Sequence, residues 1–368
     1  GAGRNRPMFN KVKKGDVLLM RFTKTCAMAL ATMMLLTAGC GGGGDKKAAD
    51  KGKAAGGGSK KLVMYWGALD DWMAKDIKEF EKDTGIKVEA VRMSSGEVIG
   101  RIKAEKANPK ASIWFGGPAD GQIQAKADGL LEKYVSPNAA KIPDKFKDKE
   151  GYWTGVYVGY LGFASNAKLL KEKGVEAPKS WQDLLKPEFQ GQIVSANPGS
   201  SGTAYTMLAT VVQLMGEEKG MAYMKALNGQ MKNYQKSGTA PARLAGQGEC
   251  MVGISFLHDA IKYREEGMKD LVLTAPSEGT GYEIGAVSII KGGPDQENAK
   301  KFIDWCLTKK AQEIGQTTGS YQFLTNPEAT PPKQAAELNN TKLINYDFPW
   351  AGSHRNELVE KWNKAIKS

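Results

Sequence analysis

Histidine and cysteine are scarce in this chain. Two His and four Cys in 368 residues offer no spacing of metal ligands. There is no Gly-x-Ser-x-Gly elbow, no Gly-rich phosphate loop ending in Lys-Ser/Thr and no dinucleotide fingerprint. His258 and Asp259 are adjacent, and as strand neighbours they would face opposite ways, a poor catalytic dyad. These absences argue against an enzyme, and no cofactor is called for.

A basic stripe of the kind that binds nucleic acid is also lacking. The formal net charge is +12, but residues 1–60 carry 12 of the Lys/Arg and only 3 of the Asp/Glu. That leaves 40 basic against 37 acidic residues in 61–368, a balance of +3. The body is near neutral and has no basic run interleaved with aromatics, so no nucleic-acid partner is expected. Some of the basic excess belongs to export and membrane contact.

The first 60 residues read as an address. Residues 1–19 look like vector or upstream sequence, and Met20 is the expected start. Residues 20–39 then form a lipoprotein signal peptide: Arg21 and Lys24, an apolar run from Cys26 to Leu36, and small residues. The run is too short for a permanent membrane span. Leu36-Thr37-Ala38-Gly39-Cys40 resembles the bacterial lipobox, which implies lipidation at Cys40. Residues 40–60, Gly-, Lys- and Ala-rich with no apolar period, read as a flexible tether. It would hold the body on the order of 25 Å from the membrane. Of the other cysteines, Cys26 leaves with the signal, while Cys250 and Cys306 are expected as buried free thiols.

From residue 61 the pattern alternates. Leu62–Trp66 is a short apolar strand, and Met73, Ile77 and Phe80 follow at helical spacing up to Gly85. Ile86–Val91 alternates as a strand, and a second helix runs on from Ser94-Ser95-Gly96. Ile113-Trp114-Phe115 reads as a strand broken by Gly116-Gly117. Gln192–Ser195, Met251–Ser255 and Leu271–Ala275 are further strands between helices. Ala299, Phe302, Ile303, Cys306 and Leu307 make one helical stripe, which is core packing. The rhythm predicts an α/β protein with mainly parallel sheets.

Three polar loops enter helices: Ser94-Ser95-Gly96, Asn197–Tyr205 with Ser200, Ser201 and Thr203, and Ser237-Gly238-Thr239-Ala240-Pro241. One such loop is ordinarily a helix cap. Three of them point to an anion, because helix N-termini offer free N–H groups and partial positive charge. No buried Lys or Arg is required for that. His258-Asp259 follows a strand at its carboxyl end, where α/β sheets bind ligands. Glu283 lies on a polar turn, and carboxylates there suit sugar hydroxyls.

Together these segments resemble the solute-binding proteins of ABC importers, in the branch historically labelled iron(III)-binding. The markers are Trp114-Phe115-Gly116-Gly117, Asp128-Gly129-Leu130-Leu131, Gly199–Tyr205, Gly248-Glu249 ahead of Ile254–Asp259, Gly279–Gly285, the Asn298–Ile314 helix and Leu343–Phe348. The resemblance implies a two-lobed type II periplasmic-binding-protein (Venus-flytrap) fold with two crossing segments. Lobe 1 would be 61–160 plus 287–330 and lobe 2 161–286 plus 331–368. The crossings are expected near Tyr160–Ala164 and Glu283–Val287. Iron binders of this branch use two adjacent Tyr where this chain has Phe256-Leu257-His258-Asp259, and no Tyr pair occurs anywhere in it.

The His-Asp pair with Gly-Tyr-Glu is similar to the hexose-phosphate-binding members. That resemblance implies that Ser95, Ser201 and Thr203 meet the phosphate and His258, Asp259 and Glu283 the sugar, while Ser94, Ser200 and Ser237 of the same polar loops are further candidate ligand-binding residues. One departure is Gly67-Ala68-Leu69-Asp70, where those members carry small hydroxyl residues. Trp66 or Trp72 could then stack on the ligand. A ferric or other metal ion, a phosphonate or another organic anion remain alternatives. The implied partners are a small anionic solute, an ABC permease and the membrane through the lipid anchor. The protein is expected to act as a monomer, exported to the outer face of the bacterial cytoplasmic membrane or the periplasm.

Overall fold

The computed structural model describes residues 58–368. The signal peptide, Cys40 and the tether as far as residue 57 lie outside the described residues. The strands, in chain order, are β1 (Lys61–Trp66), β2 (Lys87–Arg92), β3 (Ile113–Pro118), β4 (Leu131–Glu132), β5 (Thr154–Asn166), β6 (Ile193–Ala196), β7 (Met231–Gln235), β8 (Val252–Phe256), β9 (Leu271–Thr274), β10 (Tyr282–Ile290) and β11 (Phe323–Leu324). Their order across the sheet is β2-β1-β3-β10-β5-β8-β6-β7, with β4 on β10 and both β9 and β11 on β5.

Two parallel halves meet at two antiparallel strands. β1 lies parallel to β2 and β3, and β6 lies parallel to β7 and β8. β5 and β10 run antiparallel to their neighbours. Each parallel strand leads into a helix: Asp70–Thr84, Ser95–Ala104, Ala119–Ala127, Gly202–Met215, Ala240–Gly246 and Leu257–Glu265. This β-α repetition puts helix N-termini at the carboxyl ends of both half-sheets.

β5 belongs to both halves. As far as Tyr160 it pairs with β10, and from Leu161 it pairs with β8. The return passage lies beside it. The Leu161 N–H donates to the Gly281 carbonyl at 3.1 Å, and the Thr280 hydroxyl donates to the Leu161 carbonyl at 2.9 Å. Tyr282 then pairs with Tyr160. That register places Glu283–Val287 on the first half-sheet already, so the return crossing comes at Thr280–Gly281, earlier than the sequence suggested. β3 also differs from expectation. It continues through Gly116 and Gly117 to Pro118, which pairs with Gly285.

Each half has its own apolar core. Trp66, Trp72, Phe80, Phe115 and Phe302 pack in the first, and Phe163, Trp181, Tyr205, Leu208 and Trp362 in the second. Trp66 stacks on Phe115 with centroids 4.0 Å apart, and Trp72 meets Phe115 edge-on at 5.4 Å. Burying such a side chain contributes about 1.5–3 kcal/mol. Both Trp rings are therefore core, and neither is free to stack on a ligand. Cys250 and Cys306 are buried free thiols in different clusters. After β11 the chain passes back. Leu338 packs with Leu257 and Ile261, and the helix Arg355–Lys367 sends Trp362 into the second core.

Candidate ligand-binding site

A cavity lies between the carboxyl ends of the two half-sheets. Six helices begin at its wall, one of them Asp70–Thr84, whose cap residue Leu69 borders the cavity. Ser94 and Ser95 come from the entry to Ser95–Ala104, and Gly117 and Pro118 from the entry to Ala119–Ala127. Ser201 and Thr203 belong to Gly202–Met215, Thr239 precedes Ala240–Gly246, and His258 and Asp259 open Leu257–Glu265. Ser201 caps its helix through the Ala204 N–H, at 3.2 Å from Oγ. The Ser94 N–H is held by Glu97 Oε2 at 3.1 Å.

A second group of residues on the wall is carboxylate-rich. His258 Nε2 lies 3.5 Å from Asp259 Oδ1 and 3.9 Å from Glu283 Oε1. The close fit depends on Gly159 of β5. A Cβ there would meet His258 Cε1 at 2.5 Å and Glu283 Oε1 at 2.9 Å. All three side chains are buried. Burial holds the His258 imidazole down at about 3. Burial pushes the Asp259 carboxyl up to about 7, against the charges of Arg92 and Lys262. It raises Glu283 well above the carboxylate range too, helped by the charges of Asp259 and Asp120. The trio thus combines a neutral imidazole with carboxyls that ionise reluctantly. His258 Nδ1 is buried without a hydrogen-bond partner. Such groups are matched by hydroxyls, which both donate and accept.

Ser94, Ser95, Ser201, Thr203, His258, Asp259 and Glu283 all line this cavity. Ser200 and Ser237 do not. The Ser200 hydroxyl donates to the Lys236 carbonyl at 2.9 Å, and the Ser237 hydroxyl is paired with the Thr239 hydroxyl at 3.0 Å. The first is used up by the neighbouring loop and the second within its own, and Thr239 reaches the cavity in place of Ser237. His258 and Asp259 are not on a strand. They occupy the first turn of a helix, where consecutive residues can both border one space.

Sequence reasoning missed Arg92, Tyr157, Thr239 and Gln322 on the wall. Arg92 ends β2 two residues before Ser94, so its nearness to the first polar loop was visible. The Tyr157 hydroxyl donates to no carboxylate but accepts the Gly117 N–H at 3.1 Å. Nothing local in its strand marks that. Among the described residues no cluster of His, Cys, Asp and Glu has the arrangement of a metal site.

A family profile described as bacterial extracellular solute-binding protein matches residues 119–352. The chain belongs to this family. A solved structure of the periplasmic binding protein AfuA of Actinobacillus pleuropneumoniae, with fructose-6-phosphate bound, superposes with a TM-score of 0.81 at 44% identity. It covers 84% of this chain and 99% of that one. An uncharacterized protein of Haemophilus influenzae is 41% identical over 83% of this chain and 91% of its own. A Salmonella typhimurium periplasmic protein, provisionally assigned to 2-aminoethylphosphonate binding, is 29% identical over 66% of this chain and 71% of its own. A ferric binding protein from Campylobacter jejuni shares the fold, with a TM-score of 0.71 at 22% identity. This solute-binding protein has the type II periplasmic-binding fold of the iron and hexose-phosphate branch. It serves an ABC importer from the exported side of the membrane, with a permease as partner, and is not an enzyme. Among the described residues no helix is long and apolar enough to cross a membrane.

Proposed function

We propose that this protein captures a phosphorylated sugar between its two half-sheets and delivers it to the permease. The observation that carries the reading is the division of one cavity into two chemistries. Ser94, Ser95, Ser201, Thr203 and the helix entries they belong to supply N–H and O–H donors. His258, Asp259 and Glu283 supply a buried, hydroxyl-matching trio on the same wall. A hexose phosphate carries both matching chemistries in one molecule. The relative with fructose-6-phosphate bound, at 44% identity, supports the same class. The two lobes close on the ligand about the paired passages Tyr160-Leu161 and Thr280–Tyr282. Cys40, lipidated after signal removal, anchors the protein to the membrane, and the body works as a monomer.

Melting curves test the ligand class. Fructose 6-phosphate, glucose 6-phosphate, free fructose, 2-aminoethylphosphonate and ferric citrate are compared at equal concentration. Ligand at about 100 times its dissociation constant stabilises by about 2.7 kcal/mol. The hexose phosphates are expected to raise the melting temperature and free fructose to leave it unchanged. A shift with the phosphonate or iron alone overturns the sugar-phosphate reading.

A further inference from the structure

Arg92 is a cation on the cavity wall that forms no ion pair among the described residues, although Asp259 and Glu97 feel its charge. Its only hydrogen bonds among the described residues are long and go to neutral oxygens: Nε to the Ala68 carbonyl at 3.4 Å, and Nη1 to the Ser94 hydroxyl at 3.3 Å. A guanidinium has five N–H donors, so most of its capacity is unused. The side chain is half-buried at the end of β2, where Arg92 pairs with Trp66, the last residue of β1. Among the described residues no other Lys or Arg borders the cavity. The neighbouring cations are engaged elsewhere: Lys236 with Glu97 at 2.6 Å, and Lys262 with Glu266 and Asp71.

We infer that Arg92 is the residue that selects the ligand's charge, contacting the anionic end and favouring a dianionic ester over a monoanionic or neutral analogue. The inference rests on the sugar-phosphate reading and goes beyond it. The hydroxyls and backbone N–H groups around Ser95 and Ser201 are neutral dipoles that accept a phosphate or a sulfate ester alike. A fixed charge discriminates, because its Coulomb attraction scales with the ligand's charge and is strong in a water-poor cleft. Guanidinium also presents parallel donors matched to phosphate oxygens. The Ala68 carbonyl and Ser94 hydroxyl hold the group at the serine end.

Calorimetric titration of the full folded protein with fructose 6-phosphate and fructose 6-sulfate tests this, in wild type, Arg92→Gln and Arg92→Lys. The melting temperature of each ligand-free variant serves as the folding control. Wild type is expected to prefer the phosphate ester. Arg92→Gln should lower phosphate-ester affinity by about 10- to 100-fold, the size of one or two charge-assisted hydrogen bonds. It should cost the sulfate ester clearly less, so that the preference collapses. Arg92→Lys should keep part of the preference, having charge but no planar fork. If Arg92→Gln weakens both esters equally, or neither, the charge-selecting role is wrong while the sugar-phosphate reading stands. If wild type binds neither ester, both fall together.

Discussion

The Gly96 N–H donates to the Ser200 carbonyl at 2.9 Å, and this bond joins two loops that come from different half-sheets. Gly96 lies one residue past Ser95 on the cavity wall. Ser200, whose hydroxyl is turned away from the cavity, still contributes its backbone oxygen to the seam. A Cβ on Gly96 would overlap the Gly199 carbonyl oxygen. Next to it, Glu97 and Lys236 form an ion pair of 2.6 Å across the same seam.

Gly96→Ala is therefore expected to oppose closure without harming either half. Gly96 sits in a helix, where alanine is favoured over glycine by roughly 0.5–1 kcal/mol, so the ligand-free protein should melt no lower. Affinity for fructose 6-phosphate should fall about tenfold or more, and small-angle scattering should show less contraction on ligand addition. Normal contraction and affinity in this variant would mean that the seam yields without cost.

The buried trio predicts a pH signature with two opposed slopes. Asp259 has its folded value raised from 3.8 to about 7. The folded state then holds more protons than the unfolded one between those values, and this contribution to stability is lost as pH rises through 7. His258 is depressed from 6.5 to about 3, so its contribution is present above 6.5 and lost as pH falls toward 3. Asp259→Asn should thus gain stability relative to wild type as pH rises from 4 to 8, by up to about 4 kcal/mol. His258→Gln should gain relative to wild type as pH falls from 7 to 4. Denaturant titrations across that range measure both slopes. If the two differences run parallel, the assigned directions are wrong.

Much of this architecture is legible in the sequence because it is written in local terms. Trp66 closing a strand, Gly85 ending a helix and Ser201 opening another are signals carried by a few neighbouring residues. The serine loops and His258-Asp259 stand at strand ends, where an α/β fold collects ligands. What escaped reading depends on distant partners. Trp66 and Trp72 look available beside a polar stretch, but Phe115, some fifty residues on, takes both faces. Ser237 resembles Ser201 in sequence, yet the nearby Thr239 hydroxyl captures it. Arg92 reads as an ordinary polar position on an edge strand. Only its sharing of one cavity wall with Ser94, Ser95, Ser201 and Thr203 gives its charge a role.

A third expectation concerns a buried polar cluster behind the cavity. The Tyr346 hydroxyl donates to Asp120 Oδ2 at 2.8 Å, and the Arg355 guanidinium lies 5.1 Å from the Tyr205 ring. All four residues are buried, and Arg355 retains Nε and Nη2 without partners. Burial raises the Asp120 carboxyl, with the Arg355 charge working against that shift. Tyr346→Phe removes one donor from a buried acceptor and should cost about 1–3 kcal/mol. Arg355→Met in the Tyr346→Phe background should cost less than the two single losses added, because the residues share Asp120. Additive losses by denaturant titration would show that they act independently.

The last prediction concerns the anchor, which lies outside the described residues. Leu36-Thr37-Ala38-Gly39-Cys40 follows a charged start and a short apolar run, and residues 40–60 lack any apolar period. If Cys40 carries lipid after signal cleavage, attachment depends on that one side chain. A single acyl chain binds membranes only marginally, whereas several chains together anchor firmly. Replacing Cys40 with Ser removes the acceptor and leaves 61–368 untouched. The full-length Cys40→Ser protein, expressed in a bacterium with intact lipoprotein processing, should move from the membrane fraction to the soluble exported fraction. Its melting curve and its response to fructose 6-phosphate should match those of the wild-type body. Wild type should incorporate labelled palmitate and the variant should not. A Cys40→Ser protein that still sediments with membranes and still takes up label would place the attachment elsewhere in the chain.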